Sequence, residues 1–382
     1  MIKKEYLLLA GIILIALFSR LYLLGDMQLA TDEDFTLQFA DQILHGNYTR
    51  TFIDPTPPAH YFLIAGLKWM NNSVLFLRIV TVLISILTLV IFYFFAKNFF
   101  NQKLSLLATL FLAFNPAFFI YSRHLRNYAL LTLLFVISLH LFYNFYFRKH
   151  DPSLSKLAGT YLAMIYTNLF SFLLILSHLF FLGVAFIKKQ FTFKKIYLWQ
   201  LVYAVPALLI FYPLFVFKLN YAFVQTGTIK LFPLQIEQIP YPLYKLAVMV
   251  DVSTALSQFP WIPIFALLIS LLALLGIYSF FKKDYFLGLF VFSSFLGPPL
   301  FLLLFNPLIE LISADHYSLY YFRYFMYLSP LFVLTLVQGI SLIKSPLLKR
   351  ITIAFIAIGW IFIIAYYYSI IRTVDWSRLI AV

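Results

Sequence analysis

Long unbroken apolar stretches dominate the chain, in place of the alternation of a half-buried strand or the narrow stripe of a soluble helix. Runs near 6–24, 74–96, 104–121, 128–147, 157–187, 196–217, 260–281, 285–305, 323–343 and 351–371 have the length and apolarity of membrane crossings. The fifth is too long for one crossing. Both its flanks are basic, with Arg148, Lys149 and Lys156 before it and Lys188, Lys189, Lys194 and Lys195 after it. Two short helices that return to the same side satisfy both facts, so the pattern predicts an all-α integral membrane protein with about 11 spans. The first run follows Met-Ile-Lys-Lys-Glu and has no small-residue cleavage site, which predicts a retained first helix.

Composition agrees. Of 382 residues, 63% are hydrophobic and 11% charged, where a soluble domain carries about 25% charged residues. Zero cysteines exclude disulfides, thiolate metal sites and a cysteine nucleophile. A net charge of +14 suggests nucleic acid in a soluble protein; here topology accounts for it, and no nucleic-acid partner is expected. With the N-terminus inside, the inner loops sum to +13 and the outer segments to −1. That asymmetry follows the positive-inside rule. It predicts a multi-pass protein of the cell (plasma or inner) membrane with a cytoplasmic N-terminus and most carboxylates outside. Residues 1–382 form one polytopic domain with no separate soluble unit, its longest non-spanning stretches being 25–73 and 218–259.

The first outer loop is where acids gather. TDEDFTLQFADQILHG, residues 31–46, reads as a short helix capped by Thr31, with Asp34 reaching back and Gly46 ending it. Phe35, Phe39 and Ile43 share one face, as in an amphipathic helix lying in the interface. A second helix begins at Pro57 in the PTPP segment and runs to about Met70. Asp32, Glu33 and Asp34 then occupy a first helical turn, where acids gain about 0.3–1 kcal/mol from the helix dipole without any chemistry. The chemical alternative is a carboxylate that takes a proton from an acceptor hydroxyl, worth about 10² to 10⁴ in rate. Such a base requires an electrophile. A lipid-phosphate sugar is one, provided cations stabilise the departing phosphate.

Two segments supply cations at outer boundaries. YSRHLRNY, residues 121–128, offers Arg123, His124, Arg126 and Tyr128; on a helix, Arg123 and Arg126 would share a face and grip one phosphate. YYFRYFMYLSP, residues 320–330, offers Arg323. The alternative for each is snorkelling to headgroups or fastening a loop. Arg20 and Arg78, nearer the membrane interior, are read as structural, each able to pair with an acid of the first loop. His178 is read as a hydrogen-bonded histidine within the bundle.

Taken in order, these segments resemble the GT-C class of membrane glycosyltransferases, specifically the protein O-mannosyltransferase and lipid A aminoarabinose transferase superfamily. The resemblance rests on a spanning helix, then Asp32-Glu33 and an interfacial helix ending near Gly46, then Pro57-Pro58 with Tyr61, then Leu77-Arg78, and later SRHLRNYALL at 122–131 and RYFMYLSP at 323–330. It implies a GT-C fold and sugar transfer from a polyprenyl-phosphate donor (undecaprenyl or dolichyl phosphate) to a protein, lipid or glycan acceptor, by an inverting single displacement at the outer face among membrane lipids. It implies Asp32 as the base, with Glu33 helping to place acceptor or base, and Asp34, Pro57, Pro58, Arg123, His124, Arg126, Tyr128 and Arg323 around the substrate. Thr56 stands where aminoarabinose transferases often carry lysine, so the phosphate contact shifts to the arginines. No cofactor or metal is required by the resemblance, although Asp32-Glu33-Asp34 also satisfies a DxD pattern that admits a divalent ion.

The alternative is a transporter or flippase for a lipid-linked substrate. It explains the spans and the outer cations. Coupled transport, however, usually places ionisable groups within spans near the midplane, whereas here the acids concentrate in an outer helix.

Overall fold

The computed structural model describes residues 4–48, 57–150, 152–194, 197, 241–250, 255, 257–301 and 325–372. The expected span at 196–217, most of the outer loop 218–259, and Arg323 lie outside the described residues.

Every regular element among the described residues is helical. In chain order these are α1 (Lys4–Leu21), α2 (Thr31–Leu44), α3 (Ala59–Met70), α4 (Val74–Ala96), α5 (Gln102–Phe114), α6 (Pro116–Tyr121), α7 (Tyr128–Tyr146), α8 (Ser153–Thr167), α9 (Phe172–Ile187), α10 (Tyr241–Val248), α11 (Trp261–Lys283), α12 (Tyr285–Phe295), α13 (Ser329–Ser341) and α14 (Pro346–Ile370). Four of these, α4, α7, α11 and α14, are long and apolar enough to cross a membrane, and α5, α9, α12 and the stretch Met326–Ser341 are shorter apolar helices. The outward faces of α11 (Ile264, Leu267, Leu271) and α14 (Leu347, Ile351, Ile358) are exposed and apolar, as surfaces that meet lipid must be. Each helix satisfies its own backbone, the condition for residing in hydrocarbon.

The long run 157–187 is divided, as its flanks suggested. Asn168, in an extended conformation, separates α8 from α9, and its side chain accepts from the Phe170 N–H at 2.9 Å. The run 104–121, expected as one element, is also broken. Asn115 caps the second piece by accepting from Phe118 N–H at 3.1 Å, and Pro116 follows at the first helical position, where its missing donor costs nothing. The Asn115 amide then donates to Leu246 O at 2.8 Å, tying α10 against the break.

Small residues set the closest helix approach. A Cβ on Gly276 of α11 would run into the Thr335 carbonyl of α13, and one on Gly339 into the Leu272 carbonyl. Packing in lipid relies on such close contact, because lipid tails are as apolar as leucine. Gln338 donates to Ser279 Oγ across the same seam at 2.8 Å. His178 is held between Tyr161 and Ser294, the latter at 3.0 Å, and stacks on Phe142; it is a hydrogen-bonded core residue, as its surroundings in the sequence indicated.

Candidate active site in the first outer loop

Helix α2 begins one residue earlier than the capping pattern suggested. Ala30 is the N-cap, which makes Glu33 rather than Asp34 the third helical residue. Its Oε2 accepts from the Ala30 N–H at 3.1 Å. This one-residue difference turns Glu33 inward and leaves Asp34 outside. The buried face of α2 is Glu33, Thr36, Ala40 and Ile43, and it packs with Tyr61, Ile64, Leu77 and Leu125 in a small apolar cluster separate from the main core. Phe35, expected on that face, is 47% exposed. Lys68 of α3 reaches back to Asp41 at 2.6 Å.

The first turn of α2 therefore sorts its three acids. Glu33 is fully buried and paired with Arg78 of α4, whose Nη2 lies 2.6 Å from Oε2 and whose Nε donates to Oε1 at 3.1 Å. The Leu125 N–H also donates to Oε1, at 2.8 Å. Burial pushes the Glu33 carboxyl up, but the Arg78 hydrogen bond, the His124 and Arg78 charges and the Leu125 N–H together hold it below the usual carboxylate range. Asp34 is exposed and accepts from the Gln38 amide at 2.8 Å. Asp32 is half-buried, 4.0 Å from Arg126 Nη2. Among the described residues no group of three or more histidines and carboxylates is placed to hold a metal ion.

Residues 122–127 form a turn, not a helix, which corrects the expectation that Arg123 and Arg126 share a face. Arg126 points at α2, its Nη1 donating to Asp32 O at 3.1 Å and to Thr36 Oγ1 at 3.2 Å. Arg123 is fully buried. It donates to Tyr22 O at 2.7 Å and lies over the rings of Tyr367 and Tyr368 at 5.4 and 4.8 Å. His124 and Tyr128 are buried as well, Tyr128 edge-on to Tyr121. Burial lowers the His124 pKa to about 4, with Glu33 opposing and Arg78 assisting. Burial and then the Arg126 charge lower His60 of α3 to about 3. Pro57 and Pro58 are buried at the start of α3, with Pro58 as its N-cap.

Among the described residues, Arg20 pairs with no acid of the first loop. Its guanidinium donates to Ser122 Oγ at 2.8 Å and Ala113 O at 2.9 Å and lies over Phe118 and Phe119, fastening α1 to the α5–α6 break. Sequence reasoning missed Thr36, His60 and the C-terminal end of α14. Tyr22 packs edge-on to Tyr368, Tyr368 donates to Ser19 O, and Arg372 pairs with Asp26 at 2.7 Å. A helix some 340 residues away in sequence had no local signal linking it to this loop.

The geometry is thus a half-buried carboxylate on the first turn of α2, a guanidinium beside it, and a buried ion pair on the next residue. The profile of the dolichyl-phosphate-mannose-protein mannosyltransferase family matches residues 54–217, a stretch that contains Pro57-Pro58, Arg78, Arg123 and Arg126 and begins after Asp32. No curated protein matches the sequence. Among solved structures, ArnT from Cupriavidus metallidurans bound to undecaprenyl phosphate superposes with a TM-score of 0.56 at 10% identity, over 97% of this chain and 73% of that one. Over residues 54–217 the chain matches the dolichyl-phosphate-mannose-protein mannosyltransferases, and over nearly its whole length it has the GT-C fold of ArnT.

Proposed function

We propose that this protein transfers a sugar from a polyprenyl-phosphate donor to a hydroxyl acceptor at the outer face of the cell membrane, by an inverting single displacement with Asp32 as general base. The observation that carries the reading is the division of labour in the first turn of α2. Glu33 is engaged by Arg78 and two backbone N–H groups, Asp34 is exposed, and Asp32, half-buried, stands 4.0 Å from the Arg126 guanidinium. In the proposed step Asp32 takes the acceptor proton as the acceptor oxygen bonds to the anomeric carbon. The bond from that carbon to the phosphate oxygen breaks on the opposite face, and polyprenyl phosphate leaves with the electron pair. Arg126, with Arg323 as a further candidate, meets the developing phosphate charge, a role in which preorganised cations are worth several kcal/mol. The proposal assigns that role to guanidinium groups and requires no metal.

Support comes from the GT-C fold shared with ArnT, which was solved with undecaprenyl phosphate, and from the mannosyltransferase profile. The charge asymmetry of the loops supports about 11 crossings with the N-terminus in the cytoplasm. The test is purified protein in detergent or nanodiscs with a panel of polyprenyl-phosphate sugars, assayed for release of polyprenyl phosphate with and without EDTA. Release from at least one donor, undiminished by EDTA, is expected. A protein that releases none of them but moves the intact donor across a vesicle bilayer would replace this reading with transport.

A further inference from the structure

We infer that Glu33 and Arg78 are positioning residues, which together fix the first outer loop and the 122–127 turn so that Asp32 and Arg126 face each other. The inference deepens the proposed sugar transfer and rests on it.

Glu33 follows Asp32 in the chain, and Leu125 precedes Arg126. One carboxylate joins the two: Glu33 Oε1 accepts from the Leu125 N–H at 2.8 Å, and Oε2 from the Ala30 N–H at 3.1 Å. Arg78 does the complementary work on carbonyls. Besides Glu33, it donates to Leu24 O at 3.3 Å, Met27 O at 2.9 Å and Gln28 O at 3.1 Å, which are the turns of chain between α1 and α2. The side chains are 0% and 3% exposed for Glu33 and Arg78. A buried pair held only by its charges is often dispensable, because desolvation offsets the attraction. This pair also satisfies five backbone groups, and it is matched to their polarity. The two N–H groups need an acceptor and the three carbonyls need donors, so each member can do only its own task. A lysine at 78 carries the charge but lacks the planar fork that reaches several acceptors at once.

That matching separates positioning from simple ion pairing. Exchanging the partners keeps the charges but gives the Ala30 and Leu125 N–H groups a guanidinium, which has no acceptor, and gives the three carbonyls a carboxylate. A plain ion pair would tolerate the exchange; this arrangement should not.

The chain has no cysteine, so Thr31→Cys gives a single site for a nitroxide at the exposed start of α2. In purified full-length protein, Glu33→Gln and Arg78→Lys should each loosen the label's spectrum and lower turnover by tenfold or more. The Glu33→Arg, Arg78→Glu exchange should restore neither. In an Asp32→Asn background, Glu33→Gln should add little further loss of turnover, since a positioning residue acts through the group it positions; independent structural damage would multiply the losses. A wild-type spectrum for both Glu33→Gln and Arg78→Lys, or recovery on exchange, overturns the positioning role. Full activity of Asp32→Asn overturns the proposed base instead, and the label spectra then still decide whether the pair fixes the loop.

Discussion

Replacing Arg126 by Gln removes the cation that lies beside Asp32, and the structure bounds what should follow. The guanidinium is 12% exposed and the Asp32 carboxylate 40% exposed, 4.0 Å apart. At that exposure the pair itself is worth about 0.2–1 kcal/mol after solvent screening. The two hydrogen bonds to Asp32 O and Thr36 Oγ1 add about 0.5–1.5 kcal/mol each at most. Stability should therefore fall by about 1–4 kcal/mol. Loss of one charge-assisted hydrogen bond to a donor phosphate should separately weaken binding by about 1.5–3 kcal/mol, which is roughly 10- to 150-fold in affinity. Titration with the polyprenyl-phosphate sugar, followed by tryptophan fluorescence or calorimetry, reads this directly, and Arg126→Lys should recover part of it. Arg123→Gln is the contrast. That side chain is sealed between Tyr22, Tyr367 and Tyr368, so its loss should lower the melting temperature and leave the affinity of the folded fraction within about threefold. Normal donor affinity in Arg126→Gln, or a larger affinity loss in Arg123→Gln, would refute the reasoning.

Two further predictions follow from the same geometry. His60 and His124 hold pKa values of about 3 and about 4 in the folded protein, against 6.5 when exposed. As pH falls below about 6.5 the unfolded chain takes protons that the folded one refuses, so stability should decline by up to about 1.4 kcal/mol per pH unit for each histidine; melting temperatures of His60→Gln and His124→Gln between pH 7 and 5 should show a shallower slope, and an unchanged slope in both variants would contradict it. For topology, single cysteines at Gly46 and Lys283 of the cysteine-free chain should react with a membrane-impermeant maleimide on intact cells at 46 and only after permeabilisation at 283; the reverse pattern would invert the orientation and remove Asp32 from the outer face.

What the sequence disclosed and what it withheld divide along physical lines. Crossings such as α4, α7, α11 and α14 were legible because a run of apolar residues states its own solvent. The division of 157–187 was legible from the basic residues at both ends. The break at Asn115-Pro116 had a signal, a capping residue before a proline, which the hydropathy of 104–121 obscured. The start of α2 was misjudged by one residue because Thr31 is a good cap by type, whereas the buried Arg78 and the Leu125 N–H select the register that brings Glu33 inward. Local capping preference, about 1 kcal/mol, yields to burying a charge with its partners. The sequence did suggest that Arg78 could pair with an acid of the first loop, and it does. The separate destinations of Arg123 and Arg126 depend on the turn at 122–127 and on aromatic residues of α14, far away in the chain, and no local spacing encodes them.

The central claim is that Asp32, and not its neighbours, takes the proton, and the most direct measurement compares Asp32→Asn with Asp34→Asn. Both remove one carboxylate from the same helical turn, so both lose the same dipole interaction of about 0.3–1 kcal/mol, and asparagine is tolerated at either site. The assay is release of polyprenyl phosphate at saturating donor, with donor affinity measured separately. The account predicts that Asp32→Asn lowers turnover by about 10² or more with donor affinity near wild type, while Asp34→Asn stays within a few-fold of wild type. Equal turnover in the two variants, both close to wild type, would contradict it and leave the acids of α2 as residues that start a helix.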